Sequence, residues 1–215
     1  MPEIAIFIYD GMTTLDAIGP YEVLARLPEA EVKFVASTPG PKETEFGLAL
    51  TAEYALEDVP APDIIVIPGS GKVPFLDDPA AVEWVRRAHE TSKWTTSVCT
   101  GSLLLGAAGI LDGKRATSHW AVRDQLRNFG AEPLAERVVI EGKVITAAGV
   151  SAGIDMALTL AAQEAGEDEA RSIQLMIEYD PRPPFDSGSL EKADPDTRQR
   201  ATEVLQRGLA QPVER

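Results

Sequence analysis

Residues 94–108 run Trp94-Thr95-Thr96-Ser97-Val98-Cys99-Thr100-Gly101-Ser102-Leu103-Leu104-Leu105-Gly106-Ala107-Ala108. The first five are strand formers, the last six suit an apolar helix, and Cys99-Thr100-Gly101 turns one into the other. A strand feeding a helix through a tight turn is one unit of an alternating α/β chain. The same pattern continues on both sides. Residues 4–9 form an apolar run closed by Asp10-Gly11, and Glu31–Ala36 and residues 63–67 repeat it, as strands buried on both faces do. Residues 18–27 suit a helix. Ala81, Trp84, Val85 and Ala88 fall at i, i+3, i+4 and i+7, and Ile154, Ala157, Leu158 and Ala161 do the same. Val122, Leu126 and Phe129 make a further helical row, with Gly130 placed to end it. Residues 48–54 suit a short antiparallel strand, and residues 138–140 and 143–146 a hairpin turning at Glu141-Gly142. Strands alternating with helices imply parallel pairing through right-handed crossovers. The expected fold is a doubly wound α/β sandwich, a mostly parallel sheet between helices, in one domain over residues 1–180. The tail, residues 181–215, is a Pro-rich stretch followed by a helix over Pro195–Ala210; it reads as an arm packed on the domain or on a second subunit, with a disordered tail as the alternative.

The 215 residues carry 20 Lys+Arg against 34 Asp+Glu, a formal charge of −14. With 44 % hydrophobic and 25 % charged residues the chain has the composition of a folded domain, which excludes a disordered one. A pI near 4.6 argues against nucleic acid and anionic membranes as partners, because both would repel it. No apolar run approaches the roughly 18–20 residues that span a bilayer. The opening residues lack the cationic start of a signal peptide and read as a first strand. Cys99 is the single cysteine, so no internal disulfide is expected and a reducing, cytoplasmic setting is. With only His89 and His119 beside it, no metal site is expected either.

Ligands of doubly wound sheets bind beyond the carboxyl ends of the strands. Four such ends carry chemistry here: residues 10–16, Pro68-Gly69-Ser70-Gly71, Cys99-Thr100-Gly101-Ser102, and residues 147–153 with Val150. Cys99 between strand and helix, with Gly101 two residues on, has the spacing of a nucleophile elbow. A helix N-terminus there would favour the thiolate and lower the thiol pKa; the competing reading is a buried, inert cysteine. Asp16 has two readings, a helix N-cap or a carboxyl whose pKa is raised among apolar neighbours and which acts as a general acid. The amides of Gly69 and Ser70 suit a developing anion, although a Gly-rich turn is a weak motif. His119 reads as a base for Cys99 or as a capping histidine beside Trp120, and His89 as a surface residue.

Asp10-Gly11-Met12, Leu15-Asp16, Gly19-Pro20, Pro68-Gly69, the segment around Cys99, Thr117-Ser118-His119-Trp120 and residues 147–158 together resemble the ThiJ/PfpI superfamily, over residues 1–180. That resemblance implies a flavodoxin-like fold shared with class I glutamine amidotransferases. Asp16, Cys99-Thr100-Gly101 and the tail from Ile177 to Gly188 are most similar to isocyanide hydratases. The resemblance implies cysteine-dependent addition of water to an isocyanide without metal or cofactor. It makes Cys99 the nucleophile, Asp16 the acidic partner, and Gly69, Ser70 and Thr100 the oxyanion region of a homodimer with active sites near the interface. Thr100 stands where protease-like relatives carry His, which puts a Cys–His peptidase in doubt. A glyoxalase-like or hydrolase activity on Cys99, and a ligand-binding or redox-sensing role without catalysis, are the alternatives.

Overall fold

The computed structural model describes residues 1–210, with side chains to residue 208. The chain divides into two compact units, Met1–Ile177 and the residues from Glu178 onward. The first unit holds a seven-stranded sheet in the order Val138–Glu141, Val144–Ala147, Trp94–Val98, Ile64–Ile67, Glu3–Phe7, Glu31–Ala36, Tyr54–Ala55. Every adjacent pair is parallel except the hairpin Val138–Glu141 with Val144–Ala147. This is a flavodoxin-like, doubly wound sheet. Ile4, Ile6, Ile64, Ile65 and Ile67 are fully buried, as the apolar runs require of strands covered on both faces.

Among the described residues there are five α-helices in the first unit, α1 (Thr14–Leu24), α2 (Pro79–Thr91), α3 (Gly101–Ala107), α4 (Ala152–Ala165) and α5 (Glu167–Met176), and one in the second, α6 (Pro195–Ala210). Within the first unit α1 packs on α4 and α4 on α5, while α2 packs on α3. The α2 stripe Ala81, Trp84, Val85 and Ala88 is buried, and Asp78 caps that helix by accepting from Ala80 N and Ala81 N. Strand order reverses between Glu3–Phe7 and Ile64–Ile67, and a crevice at such a reversal is where these sheets bind ligands.

Several local expectations change. Helix α1 begins four residues early, at Thr14, so Asp16 lies inside its first turn and Thr13 is the N-cap. The Val122–Phe129 row is a 3-10 stretch, Arg123–Phe129, ended by Gly130 at φ 75°. Residues 48–54 divide between two sheets. Ala49–Ala52 pairs antiparallel with Gly40–Glu43, and Tyr54–Ala55 joins the main sheet in parallel. His89 is half-buried, with Nδ1 2.8 Å from Thr95 Oγ1, because Thr95 lies on the strand beneath the end of α2.

Candidate active site

The turn after Trp94–Val98 holds Cys99 at φ 58°, in the left-handed region that non-glycine residues rarely occupy. That conformation costs roughly 1–2 kcal/mol and is retained only where neighbouring bonds impose it. Here Cys99 N donates to Ala148 O at 2.9 Å and to Ala147 O at 3.2 Å. Ser118 Oγ and Ser102 Oγ donate to Cys99 O at 2.9 and 3.3 Å. A Cβ on Gly101 would lie 2.1 Å from Ile67 O, so only glycine lets the turn pass so close to the neighbouring strand. The elbow spacing has this contact as its cause.

Beneath Cys99 the loop Pro68-Gly69-Ser70 is clamped residue by residue. Asp16 Oδ2 accepts from Gly69 N at 2.9 Å, and Thr13 N donates to Gly69 O at 2.9 Å. Thr100 Oγ1 accepts from Ser70 N at 2.7 Å and donates to Ser70 O at 2.8 Å. The Ser70 amide, expected to face a developing anion, is instead spent on Thr100. The Gly69 amide is likewise spent on Asp16. The donors that reach the Cys99 sulfur are the backbone amides of Thr100 and Val150, both of which favour the thiolate.

Asp16 is fully buried and hydrogen-bonds with the Cys99 side chain. Its Oδ1 is buried and has no hydrogen-bond partner of good geometry. Burial raises its pKa from 3.8 to about 7 against the pull of the Gly69 amide and Cys99, and the Glu45 carboxylate adds to the rise. Burial also pushes the Cys99 thiol up, and the Asp16 charge pushes it further; the two amides only partly oppose them. The expected low thiol pKa is therefore not found in the resting site. The physical reason is that a seven-residue helix and two amides do not offset removal of the sulfur from water beside a carboxylate.

The contacts of His119 lie elsewhere than on the Cys99 sulfur. Its Nδ1 accepts from Ala121 N at 3.3 Å, which places the proton of the neutral ring on Nε2, and burial lowers its pKa. The ring also packs against Gly149, where a Cβ would stand 2.7 Å from His119 Cδ2, and so buttresses the turn carrying Val150. It is Ser118, one residue earlier, that touches the Cys99 backbone.

Two residues that the sequence reading did not single out belong to the same constellation. Tyr9 is buried with its hydroxyl on Pro68 O at 3.1 Å. Glu45 hydrogen-bonds with the Thr13 side chain and acts electrostatically on Asp16 and Tyr9. Tyr9 ends the apolar run of the first strand, where an aromatic hydroxyl among aliphatics was the available signal. Glu45 had none, because it arrives on a hairpin remote in sequence. Among the described residues no cluster of three or more His, Cys, Asp or Glu could hold a metal ion, and no helix is long and apolar enough to cross a membrane.

The chain resembles known proteins in both sequence and shape. It is 45 % identical over 192 residues to an isonitrile hydratase of Pseudomonas putida, covering 89 % of this chain and 84 % of that protein. A deglycase of Thermococcus kodakarensis is 30 % identical over 149 residues, 67 % of this chain and 88 % of the relative. The crystal structure of a ThiJ/PfpI family protein from Pseudomonas syringae superposes with a TM-score of 0.92 at 36 % identity, covering 97 % of this chain and 89 % of that one. The pattern of the DJ-1/PfpI family matches residues 2–163, and the chain belongs to that family.

Proposed function

We propose that this protein is an isocyanide hydratase, converting R–N≡C and water to the N-substituted formamide R–NH–CHO. The observation that carries the reading is the buried Asp16 carboxyl, poised near neutrality against the Cys99 side chain. A terminal isocyanide carbon needs a soft nucleophile and one proton, and this pair supplies both. The 45 % identity to the Pseudomonas putida isonitrile hydratase supports the choice of substrate class. So does burial: with Cys99 only 5 % exposed, a small electrophile suits the site better than a bulky one.

The proton inventory closes within the pair. Asp16 as carboxylate takes the thiol proton while sulfur attacks the isocyanide carbon, forming the C–S bond. The carboxyl returns that proton to the same carbon, which gives the thioimidate R–N=CH–S–Cys99. Water then adds to this carbon with Asp16 accepting its proton and passing it to nitrogen. Collapse of R–NH–CH(OH)–S–Cys99 breaks the C–S bond, releases the formamide and returns the hydroxyl proton to sulfur. The Thr100 and Val150 amides stabilise sulfur as it gains charge. A nucleophile generated only on demand accounts for a resting thiol held above its ordinary pKa. The reaction requires no metal or cofactor.

Mixing the protein with an alkyl or aryl isocyanide and following formamide by chromatography tests the reading. Catalytic release of formamide is expected, and none above the uncatalysed rate would refute it. The proposal includes a homodimer; sedimentation at micromolar concentration giving only a 23.1 kDa species would remove that part.

A further inference from the structure

The Pro68–Gly69 peptide unit is gripped at both ends. Its oxygen accepts from the Tyr9 hydroxyl at 3.1 Å, and its N–H donates to Asp16 Oδ2 at 2.9 Å. Because carbonyl and N–H belong to one planar, conjugated group, these two bonds are not independent. Donation to the oxygen withdraws electron density from nitrogen and makes the N–H a stronger donor. The chain continues behind Tyr9. Its single hydroxyl proton is spent on Pro68 O, so in its hydrogen bond with Ser70 the serine hydroxyl donates. Ser70 Oγ in turn accepts from Val73 N at 3.1 Å. A line of polarised groups thus ends on the carboxylate beside Cys99.

We propose that Tyr9 is a positioning residue that acts on Asp16 through the Pro68–Gly69 peptide, fixing the plane of that unit and strengthening its grip on the carboxylate. The ring is itself held. It meets Phe75 edge-on with centroids 5.2 Å apart and Phe7 at 5.3 Å, so the hydroxyl has little freedom to leave Pro68. Glu45 and Cys99 are the other titratable groups that act on Asp16, and both also act on Tyr9. Removing the Tyr9 hydroxyl weakens the one amide bond that favours the ionised carboxylate against burial and Glu45. The carboxyl should then hold its proton to higher pH.

The rate arm of the test rests on the proposed hydratase reading; the titration arm does not. Tyr9→Phe keeps the ring contacts and deletes only the hydroxyl. In the substrate-free protein, the carboxyl titration of Asp16 is isolated by infrared difference against Asp16→Asn. Its midpoint should move upward by about 0.5 pH unit in Tyr9→Phe, about a threefold change in the ionised fraction at fixed pH. Tyr21→Phe, whose ring on α1 meets Phe34 at a tilt, is the control and should leave the midpoint unmoved. With an isocyanide substrate, the acid limb of kcat should move by the same amount while KM stays within twofold. A midpoint equal to wild type in Tyr9→Phe, with folded-state circular dichroism retained, overturns the proposal and leaves Tyr9 a packing residue. If the midpoint moves and no isocyanide is turned over by wild type, the hydratase reading fails and the role of Tyr9 stands.

Discussion

A Cβ built on Gly69 would stand 2.5 Å from the amide nitrogen of Thr100 and 2.6 Å from Thr100 Oγ1. The loop that donates to Asp16 and the turn that carries Cys99 are therefore in close contact, with only the Thr100 hydroxyl clasped between them. Gly69→Ala must push the two apart, breaking the paired Ser70–Thr100 bonds. We expect a loss of about 1–3 kcal/mol in stability from overpacking. Because a misplacement of about 1 Å at a reacting centre costs on the order of 10² in rate, kcat should fall by about that factor. Urea unfolding and steady-state kinetics read the two effects separately. Wild-type kcat in Gly69→Ala would show that the spacing of Asp16 and Cys99 is not critical.

Cys99→Ser and Cys99→Ala should abolish turnover and leave the fold intact, since the turn is held by hydrogen bonds of the Cys99 backbone to Ala147, Ala148, Ser102 and Ser118 and not by sulfur. A thiol-free variant with more than a small fraction of wild-type kcat would end the covalent mechanism.

Asp16→Asn separates two properties that a simple activated cysteine would couple. Deleting the carboxylate removes a charge that raises the thiol pKa, so the thiol should become more acidic and iodoacetamide should label it faster at pH 8. Turnover should nevertheless fall by roughly 10²–10⁴, because no group remains to carry the proton. Faster labelling together with lost catalysis is the expected signature. Slower labelling in the variant would mean that the carboxylate activates the thiol by taking its proton at rest.

Much of this arrangement was legible in the chain, and the parts that were not share a cause. The buried strands of residues 4–9 and 63–67 announced themselves through unbroken apolar runs, and their alternation with the α2 and α4 stripes gave the sheet type. Cys99-Thr100-Gly101 pointed to a tight turn because a lone cysteine followed by glycine is a local feature. The Asp16–Gly69 and Ser70–Thr100 bonds join residues 53 and 30 positions apart, so local pattern carries no trace of which amide is spent on which acceptor. From sequence alone, therefore, the Ser70 amide reads as available. The direction of the thiol pKa shift is hidden for the same reason: the helix end is local and visible, whereas burial beside Asp16 is tertiary. The sequence puts the start of α1 late because Asp16, a favoured cap, looks like the boundary, whereas in the fold Thr13 is the N-cap and Asp16 lies inside the first turn.

The raised pKa of Asp16 has a consequence for stability that can be measured without any substrate. The carboxyl titrates at 3.8 when exposed and at about 7 in the folded protein, chiefly through burial. The native state therefore binds this proton more tightly than the unfolded chain does. Below about pH 4 both states are protonated and the site costs little. Between pH 4 and 7 the unfolded chain binds fewer protons than the native state, so stability falls as pH rises. Above pH 7 the penalty is constant, and a rise of about three units corresponds to about 4 kcal/mol. Asp16→Asn keeps an oxygen for Gly69 N and carries no charge at any pH. We expect it to be more stable than wild type by about 2–4 kcal/mol at pH 8, the lower figure allowing for a side-chain N–H₂ in a buried position. The advantage should shrink through pH 6 and vanish near pH 4. Urea titrations of both proteins at these three pH values provide the comparison. An advantage that stays constant across the range would trace to packing, and a variant less stable than wild type at pH 8 would mean that the fold stabilises the carboxylate more than its burial penalises it. The predicted outcome makes Asp16 a residue kept at the expense of stability, as expected of a group retained for chemistry.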